Sequence, residues 1–132
     1  MGEALNVVRQ FYRSLAAGDA PGALGLLDAA VEWTEAERSP YYAGTLHGVE
    51  AVIAQVLQPI GDDFADFAAT PSDFIAEGDR VAVFGIYSGV AKATGLSLRA
   101  PFVHAWRVAN GRLCQFVQYT DSAAWRQPLN RP

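Results

Sequence analysis

His104 stands between Phe102 and Trp106 in the alternating run FVHAWRV, and a histidine can give and take protons near neutral pH. On that otherwise apolar face it reads either as a titratable group in a pocket wall or as a core histidine satisfied by one hydrogen bond. Asp121 ends the last alternating run. A carboxylate there, held in an apolar cavity, would become basic enough to take a proton from a carbon acid. It equally suits the N-cap of a short helix over Ser122 to Arg126. Val31, Trp33 and Glu35 share one side of a two-residue period, which suggests a second carboxylate at a pocket mouth. Glu32 should face away, and Glu37 nearby leaves open a solvated acidic loop for Glu35. Tyr12 and Tyr119 carry hydroxyls that can donate to a carbonyl oxygen or its enolate, although such tyrosines also serve as amphipathic core residues. Trp33, Phe84, Phe102 and Trp106 are the expected lining for a ring-shaped or otherwise apolar ligand.

Other chemistries lack their motifs. His47 and His104 are the only histidines, and neither sits in a metal-ligand spacing such as H-E-x-x-H, so no metal is expected. There is no G-x-G-x-x-G, Walker loop or G-x-S-x-G elbow, and no cofactor is expected. The single cysteine, Cys114, excludes an internal disulfide and falls in a predicted strand, where a buried thiol is inert.

These residues need elements to position them. Leu5, Val8, Phe11, Tyr12 and Leu15 recur at helical spacing and predict a first amphipathic helix. Gly18 can end it in the left-handed conformation, and Asp19 can cap a short second helix that contains Ala23, Leu24, Leu26 and Leu27. A strand over Val31–Glu35 follows, then a polar segment from Ala36 to His47 broken by Pro40 and Gly44. Val49, Val52, Ile53, Val56 and Leu57 predict a third helix, ended by Pro59 and Gly61. From there the period changes to two, with strands over 66–77, 80–91, 96–109 and 112–120. Gly78-Asp79, Gly95 and Asn110-Gly111 mark the reversals, the last being a strong hairpin signal. Helices first and an antiparallel meander after imply an α+β domain with helices on one face of a sheet.

The totals agree with this. The 132 residues suit one domain, and a hydrophobic fraction of 51% supplies a core. A net charge of −4 with ten scattered basic residues argues against a nucleic-acid footprint, and no nucleic-acid partner is expected. No stretch approaches the roughly 20 apolar residues that span a bilayer. The start, MGEALNVVRQF, has neither a signal-peptide pattern nor Ser or Thr at position 6 for myristoylation, so a cytoplasmic protein is expected, with no membrane partner.

The segments GDRVAVFGIYSG and FVHAWRVANGRLCQFVQYTD, with VEWTEAE and YYAGTLHGVEAV earlier, resemble the NTF2-like superfamily and its SnoaL-like, ketosteroid-isomerase-related branch. The resemblance covers nearly the whole chain in element order. It implies a single SnoaL-like domain over residues 1–132, in which N-terminal helices pack on a curved, mostly antiparallel sheet that closes a cone around a pocket. Strand parity then puts Phe102, His104, Trp106 and Val108 inside, and Arg99, Val103, Ala105 and Arg107 outside. In the polyketide cyclases of that branch a late-strand aspartate and a nearby histidine form an acid/base pair. YTD at 119–121 matches that placement, which implies Asp121 with His104. The resemblance also implies a homodimer, and the apolar outer positions Val103, Ala105 and Val117 give it a physical motive.

A literal steroid isomerase is disfavoured, because no buried acid on the meander strands matches the protonated aspartate of that oxyanion hole. The epoxide-hydrolase version needs an Asp–Arg–Asp set, and Arg99 and Arg107 lie on the wrong face. The fold hosts catalysts and non-catalysts alike, so function rests on the site. The leading expectation is a cofactor-free acid/base enzyme, of isomerase, cyclase or dehydratase type, on a small apolar carbonyl compound. Asp121 or Glu35 would be its base, His104 its acid or orienting partner, and the tyrosines its oxyanion donors. The alternative is a non-catalytic ligand-binding or association domain of the same fold.

Overall fold

Ala4, Val8, Phe11 and Tyr12 form the buried stripe of helix α1 (Glu3–Ala16), while Leu15 reaches a cavity rim and stays partly exposed. The computed structural model describes residues 2–130. Met1, Arg131 and Pro132, which the expected domain span includes, lie outside the described residues. Gly18 takes φ 73° just beyond α1, and the Asp19 carboxylate caps α2 (Ala20–Leu24) by accepting from the Gly22 N–H at 2.9 Å.

The chain then enters β1 (Leu27–Thr34), longer at its start than the alternation predicted. β2 (Thr45–His47) pairs antiparallel with it inside a segment read as irregular, since three residues are too few for a period to show. The third helical stretch begins as α3 (Val49–Val52), widens into a π-helical turn (Ile53–Leu57) and continues as α4 (Gln58–Asp63). Pro59 and Gly61 were expected to end it. Pro59 has no N–H to give and its ring crowds the carbonyl four residues back, and the wider π winding just before it accommodates both effects.

The meander follows as β3 (Phe64–Glu77), β4 (Arg80–Ala91), β5 (Ser97–Ala109) and β6 (Arg112–Thr120), close to the predicted spans. All six strands form one sheet in the order β2-β1-β6-β5-β4-β3, antiparallel except where β1 meets β6. Its curvature has local causes. Register breaks between Ala65 and Ala68 and between Pro71 and Asp73 bend β3 against β4, and Asp66 adopts φ 54° at the first. β3 is an edge strand, which is why Pro71 is tolerated in it. On β4, Gly85 is covered by the Phe102 ring and by the Thr70 carbonyl, and a methyl group there would run into both.

Helix α1 packs across β3, β4 and β5, and the α3–α4 stretch lies against β1, β2 and β3. The concave side of the sheet therefore faces helices, as the resemblance implied. α5 (Ser122–Leu129) runs past the expected Arg126 and packs on β4 and β5. Its Trp125 is fully buried among Tyr41, Phe64, Phe67 and Tyr87. Each fully buried large side chain of this kind is worth on the order of 1.5–3 kcal/mol.

Candidate functional site

Between the helices and the concave sheet lies a cavity of about 400 Å³. Aliphatic side chains such as Leu24, Ile53, Val56 and Ile60 come from the helical side, and Trp33, Phe67 and Phe116 from the sheet. Six polar side chains reach it: Tyr12, Glu35, Gln58, Tyr87, His104 and Gln118.

The inner parity of β5 holds from Leu98 to Val108, so His104 points inward and is 4% exposed. The Phe102 ring stacks on it with centroids 4.0 Å apart. Its ring nitrogens meet two tyrosines: Tyr12 Oη lies 2.5 Å from Nδ1, and Tyr87 Oη lies 2.5 Å from Nε2. Two further donors hold those hydroxyls. The Trp106 indole N–H donates to Tyr12 at 2.9 Å, and the Gln118 amide N–H donates to Tyr87 at 2.8 Å. Gln118 is itself oriented, because its Oε1 accepts from the Ala36 backbone N–H at 3.0 Å. Burial lowers the His104 pKa from 6.5 to about 3. The ring is therefore neutral near pH 7, which counts against the titratable reading of His104, and it is held by two hydrogen bonds where the core reading expected one. Burial also raises both tyrosines far above their ordinary 10, so each keeps its hydroxyl proton.

Glu35 follows β1, on the same side as Val31 and Trp33, and is 4% exposed. Its Oε2 accepts from the Trp33 indole N–H at 2.9 Å, whereas its Oε1 is buried with no partner among the described residues. Burial raises its pKa from 4.5 to about 7, opposed in part by the Trp33 indole and the Gln118 amide. Near neutral pH this carboxyl exists in both protonation states. Among the described residues it is the one acidic side chain that lines the cavity.

The expected site residues are divided by the sheet. Tyr12, Trp33, Glu35 and His104 line the cavity. Phe102 and Trp106 point inward but lie behind that lining, against His104 and Tyr12. Phe84, Tyr119 and Asp121 gather instead along a shallow groove that the cavity does not reach, and Tyr119 is 60% exposed. Asp121 caps α5, its carboxylate accepting from the Ala123 and Ala124 N–H groups at 3.1 and 3.3 Å. The pairing of Asp121 with His104 is therefore not made. The cause is local: the helix that follows offers free N–H groups one turn away. Tyr87 and Gln118 were missed, although parity could have found both. Tyr87 continues the inward set Val81, Val83 and Gly85, and Gln118 is two residues beyond Phe116.

A SnoaL-like domain family model matches residues 8–116, and the chain belongs to that family. Solved structures agree on the fold. An NTF2-like protein of Burkholderia thailandensis is 26% identical with a TM-score of 0.90, over 98% of each chain. An NTF2-like protein of unknown function from Burkholderia pseudomallei is 34% identical with a TM-score of 0.86, over 97% of this chain and 98% of the other. TerC, crystallised with polyporic acid, is 24% identical with a TM-score of 0.84, over 97% of this chain and 98% of its own. No curated protein matches the sequence. Among the described residues no helix is long and apolar enough to cross a membrane.

Proposed function

We propose that the protein is a cofactor-free proton-transfer enzyme that takes a small, largely apolar carbonyl compound into this cavity. The observation that carries the reading is Glu35, a buried carboxyl at the cavity wall with one unpaired oxygen and a pKa of about 7. Its carboxylate would remove a proton from the carbon next to the carbonyl. Tyr12 or Tyr87 would donate to the enolate oxygen that develops. His104 touches both hydroxyls and is neutral, so it orients them and does not itself supply the acid. The same proton shuttle serves isomerisation, aldol-type cyclisation and dehydration. The co-crystallisation of TerC with polyporic acid supports a small organic ligand for a cone of this shape.

The experiment is deuterium uptake at the α-carbon of a panel of cyclic and aryl ketones, followed by NMR with Glu35→Gln as the control. Protein-dependent uptake that the substitution abolishes supports the reading. Ketones that bind without uptake would leave a ligand-binding domain, the rival that the unformed Asp121–His104 pair favours. We also propose a homodimer formed through the outer sheet face, where Val103, Ala105 and Val117 are only half-buried. Light scattering should then give twice the 14.2 kDa chain mass, and a monomer at micromolar concentration would remove the claim.

A further inference from the structure

Each of the two tyrosine oxygens at His104 already receives a hydrogen bond from a group that can only donate. For Tyr12 that group is the Trp106 indole N–H. For Tyr87 it is the Gln118 amide nitrogen, which must face the tyrosine because the amide oxygen is held by the Ala36 N–H. Two hydroxyl–imidazole contacts remain, and each holds one hydrogen. A neutral imidazole carries one hydrogen and the two hydroxyls carry one each, which makes three hydrogens for two places. If Nε2 holds the imidazole hydrogen, it donates to Tyr87, Tyr12 donates to Nδ1, and the Tyr87 hydrogen has no place. In the other tautomer it is the Tyr12 hydrogen that is left over. Neither hydroxyl has another partner among the described residues, and both tyrosines line the cavity.

We infer that the pocket is built for a ligand with a hydrogen-bond-accepting oxygen, a carbonyl or its oxyanion, which takes this one unspent hydroxyl hydrogen, and that the His104 tautomer decides which tyrosine supplies it. His104 and Gln118 are positioning residues in this arrangement. The inference rests on the cavity being a ligand site, and it makes the two tyrosines exchangeable donors. With Tyr87→Phe, Tyr12 accepts from Nδ1–H and offers its hydrogen to the ligand. With Tyr12→Phe, Tyr87 accepts from Nε2–H and does the same.

The probes are an isosteric pair, 2-acetylnaphthalene and 2-isopropenylnaphthalene, titrated by NMR into the wild type, both single Phe variants and the double variant. The ketone should bind about tenfold more tightly than the alkene in the wild type and in each single variant, as one net hydrogen bond requires. The double variant should bind the two alike, its dispersed NMR spectrum showing that it is folded. Nitrogen-15 shifts of His104 with ketone bound should report the Nε2–H tautomer in Tyr12→Phe and the Nδ1–H tautomer in Tyr87→Phe. Equal binding of the two probes by the wild type would overturn the inference while leaving the cavity a ligand site. So would a ketone preference that survives in the double variant, or one tautomer in both single variants. Failure of both probes to bind would overturn the ligand-site reading as well.

Discussion

Replacing Glu35 by Gln should change how stability depends on pH, by an amount the structure sets. In the fold the Glu35 carboxyl has a pKa of about 7, against 4.5 when it is free in the unfolded chain. Each factor of ten between two dissociation constants is worth about 1.4 kcal/mol, so the gap amounts to about 3 kcal/mol. Because the folded value is the higher one, this stability is fully present below pH 4.5. It is lost as pH rises through about 7, where the native state must hold a buried carboxylate. His104 has the opposite slope. Its folded value of about 3 lies below its ordinary 6.5, so its contribution is complete above pH 6.5 and is lost as pH falls toward 3.

Between pH 4.5 and 6.5 the two slopes oppose each other, and together they leave the wild type nearly level there. Glu35→Gln removes one slope and exposes the other, so the variant should gain about 1.4 kcal/mol per pH unit across that window. Urea denaturation of both proteins from pH 4 to pH 8 measures this. The wild-type stability minus that of the variant should fall by about 3 kcal/mol over the range. A difference that stays constant to within about 0.5 kcal/mol would refute the reasoning, because a solvated or ion-paired Glu35 would behave that way.

Two further substitutions probe the frame. Gly85→Ala forces a methyl group against the Phe102 ring and the Thr70 carbonyl, and should cost about 1–3 kcal/mol in chemical denaturation. An unchanged midpoint would mean that Phe102 does not cover this strand. Asp121→Ala removes the α5 cap and should cost about 1 kcal/mol while ligand affinity is kept. Asp121→Asn, which can still cap, should restore most of that stability, and a loss of ligand binding in Asp121→Asn would return this residue to the site.

Periodicity carried most of the fold. The meander was legible to within about two residues because β4 and β5 alternate over most of their length and each reversal holds a glycine, with Asn110-Gly111 both at positive φ. β2 and the passage through Pro59 were not legible. One is too short to show a period, and the other depends on a π turn that no residue pattern marks. The site was legible in part. Parity brought His104 and Glu35 to the inside, and the helical stripe brought Tyr12. Asp121 was legible as the cap of α5, and it is only its partnership with His104, which the resemblance implied, that is not made, because the attraction of its carboxylate to the free N–H groups of α5 is local. Tyr87 and Gln118 were overlooked because a tyrosine and a glutamine on inward strand positions look like filler. Their importance appears only when three strands set them beside one histidine.

The central claim is that a near-neutral carboxyl stands ready in the pocket wall. Carbon-13 NMR of the labelled glutamate carboxyls, followed through a pH titration of the unliganded protein, tests it most directly. Glu35, assigned by its absence in Glu35→Gln, should titrate with a midpoint near 7, well above its ordinary 4.5. A midpoint close to 4.5 would contradict the account, since the pocket would then hold no poised base.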